Sequence, residues 1–164
     1  LIMDGVMQSS EVDEFTYHEA LVHPAMLMHP NPKTVFVAGG GEGSTVREVL
    51  KHKSVEKCVW VDIDKDVVEF CKKHLEANKG IWDESGKRME LIIDDANAQL
   101  KKAEEGKYDV IIMDLADPLE CGPCAQLYTK EFYEMAKSKL SSNGVLVTQS
   151  ASAGVKRYKM VFSP

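Results

Sequence analysis

Val35-Phe36-Val37-Ala38-Gly39-Gly40-Gly41-Glu42-Gly43-Ser44-Thr45-Val46-Arg47-Glu48-Val49-Leu50 is the stretch whose reading decides the fold. A short apolar run feeds a glycine-rich turn, which opens an amphipathic segment with Val46, Val49 and Leu50 on one side. Glycines there permit positive φ and let a ligand approach the backbone. Free amide N–H groups would point out of the first turn of the following helix. About twenty residues on, the apolar run Lys57-Cys58-Val59-Trp60-Val61-Asp62 ends in an acid placed to grip a ribose diol. A glycine turn alone is also what any tight strand–helix connection needs. With the later acid it follows the nucleoside-binding logic of a Rossmann-like sheet.

Glu42 separates the possible ligands, because it lies where a dinucleotide would set its pyrophosphate. A carboxylate beside a phosphate is repulsive, and more so once water is excluded. A cation is welcome at the same place. The loop therefore suits a nucleoside carrying positive charge, such as an adenosyl sulfonium.

A chain of 164 residues can bury one substantial core, so one main domain is expected. Its formal net charge of −6 disfavours a nucleic-acid partner and is compatible with a cationic substrate. No apolar run approaches membrane-spanning length and no signal-peptide pattern is present, so no membrane partner and a cytoplasmic location are expected. Leu1 sits inside an apolar stretch and Pro164 closely follows a helix-like segment; both ends read as cut, and a fragment is expected. Cys58 and Cys71 fall in apolar patterns and read as buried, reduced thiols.

Leu1 to Gln8 reads as two strands around an Asp4-Gly5 turn. A helix is expected from Thr16 as N-cap, kinked at Pro24 and ended by His29-Pro30-Asn31-Pro32. Alternation follows: strands at 34–38, 57–62, 89–93, 108–113 and 145–149, with helices at 44–52, 64–78, 96–104 and 129–140. Asn78 to Lys87 reads as a polar connection and Asn143-Gly144 as a turn. Such alternation implies a mostly parallel sheet with flanking helices and right-handed crossovers. Ligands of these sheets sit beyond the carboxyl ends of the strands. There the Glu42 loop, Asp62, Asp94/Asp95 and Asp114/Asp117 would gather, with Gln149 closing the last strand. Any one loop acid is commonplace; their repetition at one edge is not.

Gly39-Gly40-Gly41-Glu42-Gly43, Val61-Asp62-Ile63-Asp64, Asp95-Ala96, Asp114-Leu115-Ala116-Asp117-Pro118 and Gln149 together resemble the aminopropyltransferase family, the spermidine, spermine and thermospermine synthases. Asp4-Gly5-x-x-Gln8 and Asp13-Glu14-x-x-Tyr17-His18-Glu19 match as well, so the likeness spans about residues 1 to 154. Tyr17-His18-Glu19, Asp114-Leu115-Ala116-Asp117 and the Gly122-Pro123-Cys124-x-Gln126-Leu127-Tyr128 run are most similar to the plant-type thermospermine synthases. The resemblance implies a class I methyltransferase-like α/β catalytic domain over 16–164, incomplete at its C-terminus. Residues 1–15 would be the terminal hairpin of a truncated N-terminal β-domain. A full-length parent would be a homo-oligomer.

The reaction implied is transfer of the aminopropyl group of decarboxylated S-adenosylmethionine to a polyamine, releasing methylthioadenosine. The donor is a co-substrate, and no cofactor is implied. Asp62 would hold the ribose, Asp95 and Ala96 the adenine, and Gly39, Gly40 and Gly41 the donor's approach. Glu42 would face the aminopropyl ammonium and repel the carboxylate of ordinary S-adenosylmethionine. Many members carry Asp where this chain has Glu42. Pro123 would lie in a loop closing over the donor, and Tyr17, His18, Asp117 and Gln149 would position the amine. Asp114 matches the family's catalytic acid, described as a proton acceptor. A carboxylate is a poor base toward an alkylammonium: a mismatch of about six pKa units is about 8 kcal/mol. Asp114 is therefore expected to orient a neutral amine and to stabilise the charge developing on nitrogen.

The acceptor expected from the resemblance is spermidine, giving thermospermine or spermine; putrescine is the alternative. A methyltransferase shares the sheet and the adenosyl site but would bind intact S-adenosylmethionine tightly. A truncated, non-catalytic homologue is a third reading, and this chain alone is expected to be weakly active or inactive. Cys121-Gly122-Pro123-Cys124 has redox-motif spacing, yet it precedes a helix expected only near Thr129, so a lid is expected there instead. A disulfide stiffening that lid is a further hypothesis. The histidines lack metal-ligand spacing, so no metal site is expected, and His23, His29, His52 and His74 read as surface or packing residues.

Overall fold

The computed structural model describes residues 1–3, 5–116 and 124–150. A short antiparallel hairpin, β1 (Ile2–Met3) with β2 (Val6–Met7), precedes helix α1 (Glu14–Met28). There follow β3 (Thr34–Gly39), α2 (Ser44–Lys51), β4 (Lys57–Asp62), α3 (Lys65–His74), a 3₁₀ segment (Glu76–Glu84), β5 (Met89–Ile93), α4 (Ala96–Lys102) and β6 (Tyr108–Asp114). A 3₁₀ turn (Ala125–Tyr128), α5 (Lys130–Lys139) and β7 (Leu140–Thr148) complete the described part.

Five strands form one parallel sheet in the order β5-β4-β3-β6-β7. The chain builds outward from β3 through β4 to β5, then returns to the other side of β3 with β6 and β7. The point of reversal lies between β3 and β6, where a crevice opens beyond the strand ends in sheets of this kind. Burial explains why the central strands read as unbroken apolar runs: helices cover both faces. Val35, Val37, Trp60, Val110 and Ile112 pack on one face with α1 and α2 residues such as Val22, Met26, Val46 and Val49. Phe36, Ala38, Val61, Ile111 and Met113 pack on the other with Leu100, Phe132 and Ala136. Each Val, Leu, Ile, Phe or Met among them, fully buried, contributes roughly 1.5–3 kcal/mol. Among the described residues no helix is long and apolar enough to cross a membrane.

Several boundaries differ from the sequence reading. Helix α1 begins at Glu14, two residues before the expected cap at Thr16, and continues through Pro24 to Met28. The helix expected over 64–78 stops at His74. Asp64 caps it by accepting from the Asp66 and Val67 amides, and the polar connection winds into 3₁₀ turns up to Glu84. Asn143-Gly144 does not end an element but lies inside β7. There the pairing jumps from Tyr108↔Leu140 to Val110↔Val145, so the extra residues are accommodated as an irregularity in the ladder. Asp4, Asp117, Pro118, Cys121 and Pro123 lie outside the described residues.

Candidate active site

The glycine turn is shaped by Asp114. Gly39 is paired in register with Asp114, and the Gly40 amide donates to the Asp114 carbonyl oxygen at 2.9 Å. Gly39 and Gly40 have φ of +78° and +67°, the left-handed region that favours glycine. A Cβ on Gly39 would overlap the Asp114 carbonyl, and one on Gly40 would stand 2.7 Å from Asp114 Oδ2. The Trp60 indole N–H donates to the Gly39 carbonyl at 2.9 Å, tying the turn to β4.

Both carboxylate oxygens of Asp114 accept a hydroxyl. Tyr17 donates to Oδ1 at 2.6 Å and Thr45 to Oδ2 at 2.5 Å. An ionised carboxylate has about four lone-pair sites, so positions remain for a ligand N–H. Although 43% of Tyr17 is exposed, burial at its hydroxyl end and the adjacent Asp114 carboxylate push the phenol's pKa up. Tyr17 therefore stays a donor. His18 is buried behind it, with Nε2 at 3.2 Å from Glu42 Oε1 and 4.0 Å from Asp114 Oδ2. The Glu42 oxygen is close enough for an ion pair but lacks a well-aligned hydrogen bond among the described residues. It is a buried acceptor aimed at the space that His18 and Asp114 border.

Asp62, 8% exposed, ends β4 beside this group. Its Oδ1 accepts the Asp64 amide at 2.8 Å, and a Cβ on Gly41 would stand 2.9 Å from its Oδ2. Burial pushes its carboxyl pKa up, as do the neighbouring Asp64 and Asp114 carboxylates, against amide hydrogen bonds from Asp64 and Gly41. Asp95 lies one strand further, where β5 pairs with β4. It caps α4 by accepting from the Asn97 amide at 2.8 Å, and Ala96 begins that helix, buried. Asp94 turns to Gln99 and Lys102. Gln149 donates to the Leu115 carbonyl at 2.6 Å, and its backbone N–H donates to Met113.

Glu42, Asp62, Asp114, Tyr17, His18 and the three glycines thus lie close together at the carboxyl ends of β3, β4 and β6, with Asp95 and Gln149 at the strand ends on either side. Sequence reading missed Thr45, Glu14, Arg47 and Asn78. Arg47 binds Glu14 at 2.9 and 3.0 Å, Glu48 at 2.9 Å and Asn78 at 2.7 Å, while Asn78 donates to the Glu42 carbonyl at 2.8 Å. A signal was present: Ser44, Thr45 and Glu48 are polar residues in the buried pattern of α2.

Among the described residues, two groups that could hold a cation form across elements, Glu14–His18–Glu42 and Glu19–His23–Glu48. Spacing along the chain conceals both. In the first, His18 turns a different ring nitrogen to each acid, Nδ1 to Glu14 and Nε2 to Glu42. In the second, Arg47 and Lys51 already neutralise the buried Glu48 carboxylate, at 2.9 and 2.6 Å. Both read as ion-pair networks. Burial pushes the Cys124 thiol pKa up, the reverse of what a redox nucleophile needs.

Residues 14–163 match the spermine/spermidine synthase domain family. The chain is similar to thermospermine synthase of Arabidopsis thaliana, 57% identical over 164 residues, covering 99% of this chain and 48% of that protein. It is 55% identical to a polyamine aminopropyltransferase of Aeropyrum pernix over 154 residues, covering 93% of this chain and 48% of the other. Among solved structures, a spermidine synthase in complex with the transition-state analogue AdoDATO superposes with a TM-score of 0.86 at 39% identity, covering 92% of this chain and 50% of that one. The spermidine synthase of Thermotoga maritima superposes with a TM-score of 0.82, also at 39% identity, covering 92% and 49%. The chain thus spans about half the length of the relatives it matches.

Proposed function

The chain belongs to the spermine/spermidine synthase domain family, and from that premise we propose that it carries the catalytic site of a polyamine aminopropyltransferase. One observation supports this most: a buried Glu42 oxygen without a hydrogen bond among the described residues and the doubly hydrogen-bonded Asp114 both lie against His18 at the sheet's point of reversal. That space suits cations and repels phosphates. Asp62 holds the ribose hydroxyls of the adenosyl donor, and Asp95 with Ala96 meets the adenine. Gly39, Gly40 and Gly41 let the sulfonium come close. Glu42 meets the aminopropyl ammonium and disfavours the carboxylated donor.

The amine nitrogen attacks the carbon beside the sulfonium, and the C–S electron pair leaves on sulfur as neutral methylthioadenosine. Asp114, oriented by Tyr17 and Thr45, aligns the amine and stabilises positive charge building on its nitrogen. Tyr17, His18, Asp117 and Gln149 position the rest of the polyamine. Spermidine is the acceptor and thermospermine or spermine the product; the enzyme is a cytoplasmic homo-oligomer, with residues 1–15 closing an N-terminal β-domain and residues 16–164 forming the catalytic one.

Incubation of the full-length parent with decarboxylated S-adenosylmethionine and each of putrescine, spermidine and spermine, with chromatographic separation of the isomeric products, tests this. Methylthioadenosine release that depends on an amine is expected, and its absence with every amine overturns the reading. Glu42→Gln is expected to strengthen binding of intact S-adenosylmethionine relative to the decarboxylated donor. If the native chain already binds the intact donor more tightly, methyl transfer replaces aminopropyl transfer.

A further inference from the structure

We propose that Asn78 is a positioning residue for donor choice: it grips the Glu42 peptide from outside the glycine turn and so places the carboxylate that separates the decarboxylated donor from the intact one. The inference rests on the aminopropyl-transfer reading and deepens it. Glu42 stands between Gly41 and Gly43, and Gly43 has φ of +90°. Glycines on both sides leave the backbone around Glu42 permissive, because no neighbouring Cβ restricts it. The peptide unit joining Glu42 to Gly43 is nevertheless held at both ends. Its N–H, on Gly43, donates to the Gly40 carbonyl oxygen at 2.8 Å and closes the turn. Its carbonyl oxygen, on Glu42, accepts from Asn78 Nδ2 at 2.8 Å, across thirty-six positions of chain.

Asn78 is 2% exposed, and its amide fits in one orientation. Oδ1 accepts from Arg47 Nη1 at 2.7 Å; a guanidinium has no acceptor, so the amide nitrogen must face the turn. There Nδ2 has two acceptors, the Glu42 carbonyl oxygen and Ser44 Oγ at 3.0 Å. Arg47 is itself fixed by both Glu14 carboxylate oxygens, at 2.9 and 3.0 Å, and by Glu48 at 2.9 Å. The 3₁₀ segment that carries Asn78 also backs the turn sterically. A Cβ on Gly43 would stand 2.7 Å from Ile81 Cδ1 and 3.8 Å from Asn78 Cβ.

Glu42 Oε1 makes no hydrogen bond among the described residues, so the side chain takes its place from its backbone and from His18 Nε2, 3.2 Å away. The two donors differ in one group, the carboxylate on the carbon that bears the ammonium. An acid held beside that carbon attracts the ammonium of both donors and repels the second charge of the intact donor alone. The preference therefore depends on distance, and a turn free to rotate lets Glu42 retreat from the intact donor.

The test titrates the full-length parent with S-adenosylmethionine and with its decarboxylated form in a calorimeter and takes the ratio of the two dissociation constants. Asn78→Ala should narrow the wild-type preference for the decarboxylated donor by roughly two- to tenfold, the range of one net hydrogen bond. In a Glu42→Gln background the same substitution should leave the ratio unmoved, because the group it positions has gone. A purely structural role lowers both affinities together and leaves the ratio where it was in either background. Asn78→Asp keeps a partner for Arg47, and sets a carboxylate against the Glu42 carbonyl. Its added charge acting through space would sharpen the preference, so a narrowed preference reports displacement of Glu42, and this variant decides if Asn78→Ala does not fold. An unchanged ratio in folded Asn78→Ala, an equal narrowing in the Glu42→Gln background, or an unchanged or sharpened preference in Asn78→Asp overturns the proposal. A wild type that binds the intact donor at least as tightly overturns the underlying function reading. A wild-type preference that Asn78→Ala leaves intact overturns this inference alone.

Discussion

Gly39→Ala separates two costs that usually occur together. Gly39 and Gly106 both hold positive φ, +78° and +69°. Around Gly106 nothing lies within 4 Å of an added Cβ, whereas at Gly39 the Cβ would overlap the Asp114 carbonyl oxygen and stand 3.0 Å from Leu115 Cδ2. Left-handed backbone costs an alanine about 1–2 kcal/mol at either position. At Gly39 the overlap falls on backbone of a paired strand, which cannot rotate away, and forced overpacking of this kind adds about 1–3 kcal/mol. Gly106→Ala is thus expected to lose about 1–2 kcal/mol and Gly39→Ala about 2–5 kcal/mol. For a chain of this size each kcal/mol shifts the melting temperature by roughly 2–4 °C, so Gly39→Ala should melt about 4–20 °C lower. Thermal and urea unfolding followed by circular dichroism measure both variants. If Gly39→Ala loses no more than Gly106→Ala, the seating of the turn on β6 is not a steric constraint and the reasoning fails.

Tyr17→Phe removes the 2.6 Å donor to Asp114. A hydrogen bond to a charged group contributes about 1.5–3 kcal/mol, so kcat/KM should fall about ten- to 150-fold if the bond is held in the transition state. An unchanged value in steady-state assays would remove Tyr17 from the machinery. Asp62 has its carboxyl pKa raised, first by burial. On the proposed ribose-holding role of Asp62, binding needs the ionised form, so affinity for methylthioadenosine, measured by calorimetry, should weaken on acidification at a higher pH than an ordinary carboxylate would give. The stability effect has the opposite sign: a folded-state pKa above the unfolded one makes the ionised group a burden at neutral pH, relieved as pH falls through the folded pKa. Asp62→Asn should therefore raise the melting temperature at pH 7 while weakening donor binding; a lower melting temperature would show that the hydrogen bonds to Asp62 outweigh its burial.

Much of the architecture was legible because it depends on local periodicity. The apolar runs at 35–38 and 57–62 and the intervening glycine turn need no distant information to read as strand–turn–helix. What misled was also local: Asn143-Gly144 has the chemistry of a turn, but pairing with β6 absorbs it into an irregular strand. The helix expected to reach residue 78 stops at His74, and the segment after it, with Asn78 and Ile81 buried, winds into 3₁₀ turns. Thr45 looked like an ordinary first-turn hydroxyl until Asp114, sixty-nine positions later, supplied its acceptor.

By itself the sequence determined the element order, the parallel sheet and the acids at the strand ends, because periodicity and turn chemistry act over a few residues. It also carried the family resemblance, and with it the candidate reaction. Only the tertiary structure decided which acids meet. Glu14, Arg47, His18, Glu42 and Asp114 come from three elements and a turn, and the network exists only once α1 and α2 lie against the crevice. Charge pairs act over a few ångströms of space, and no spacing along the chain encodes that distance.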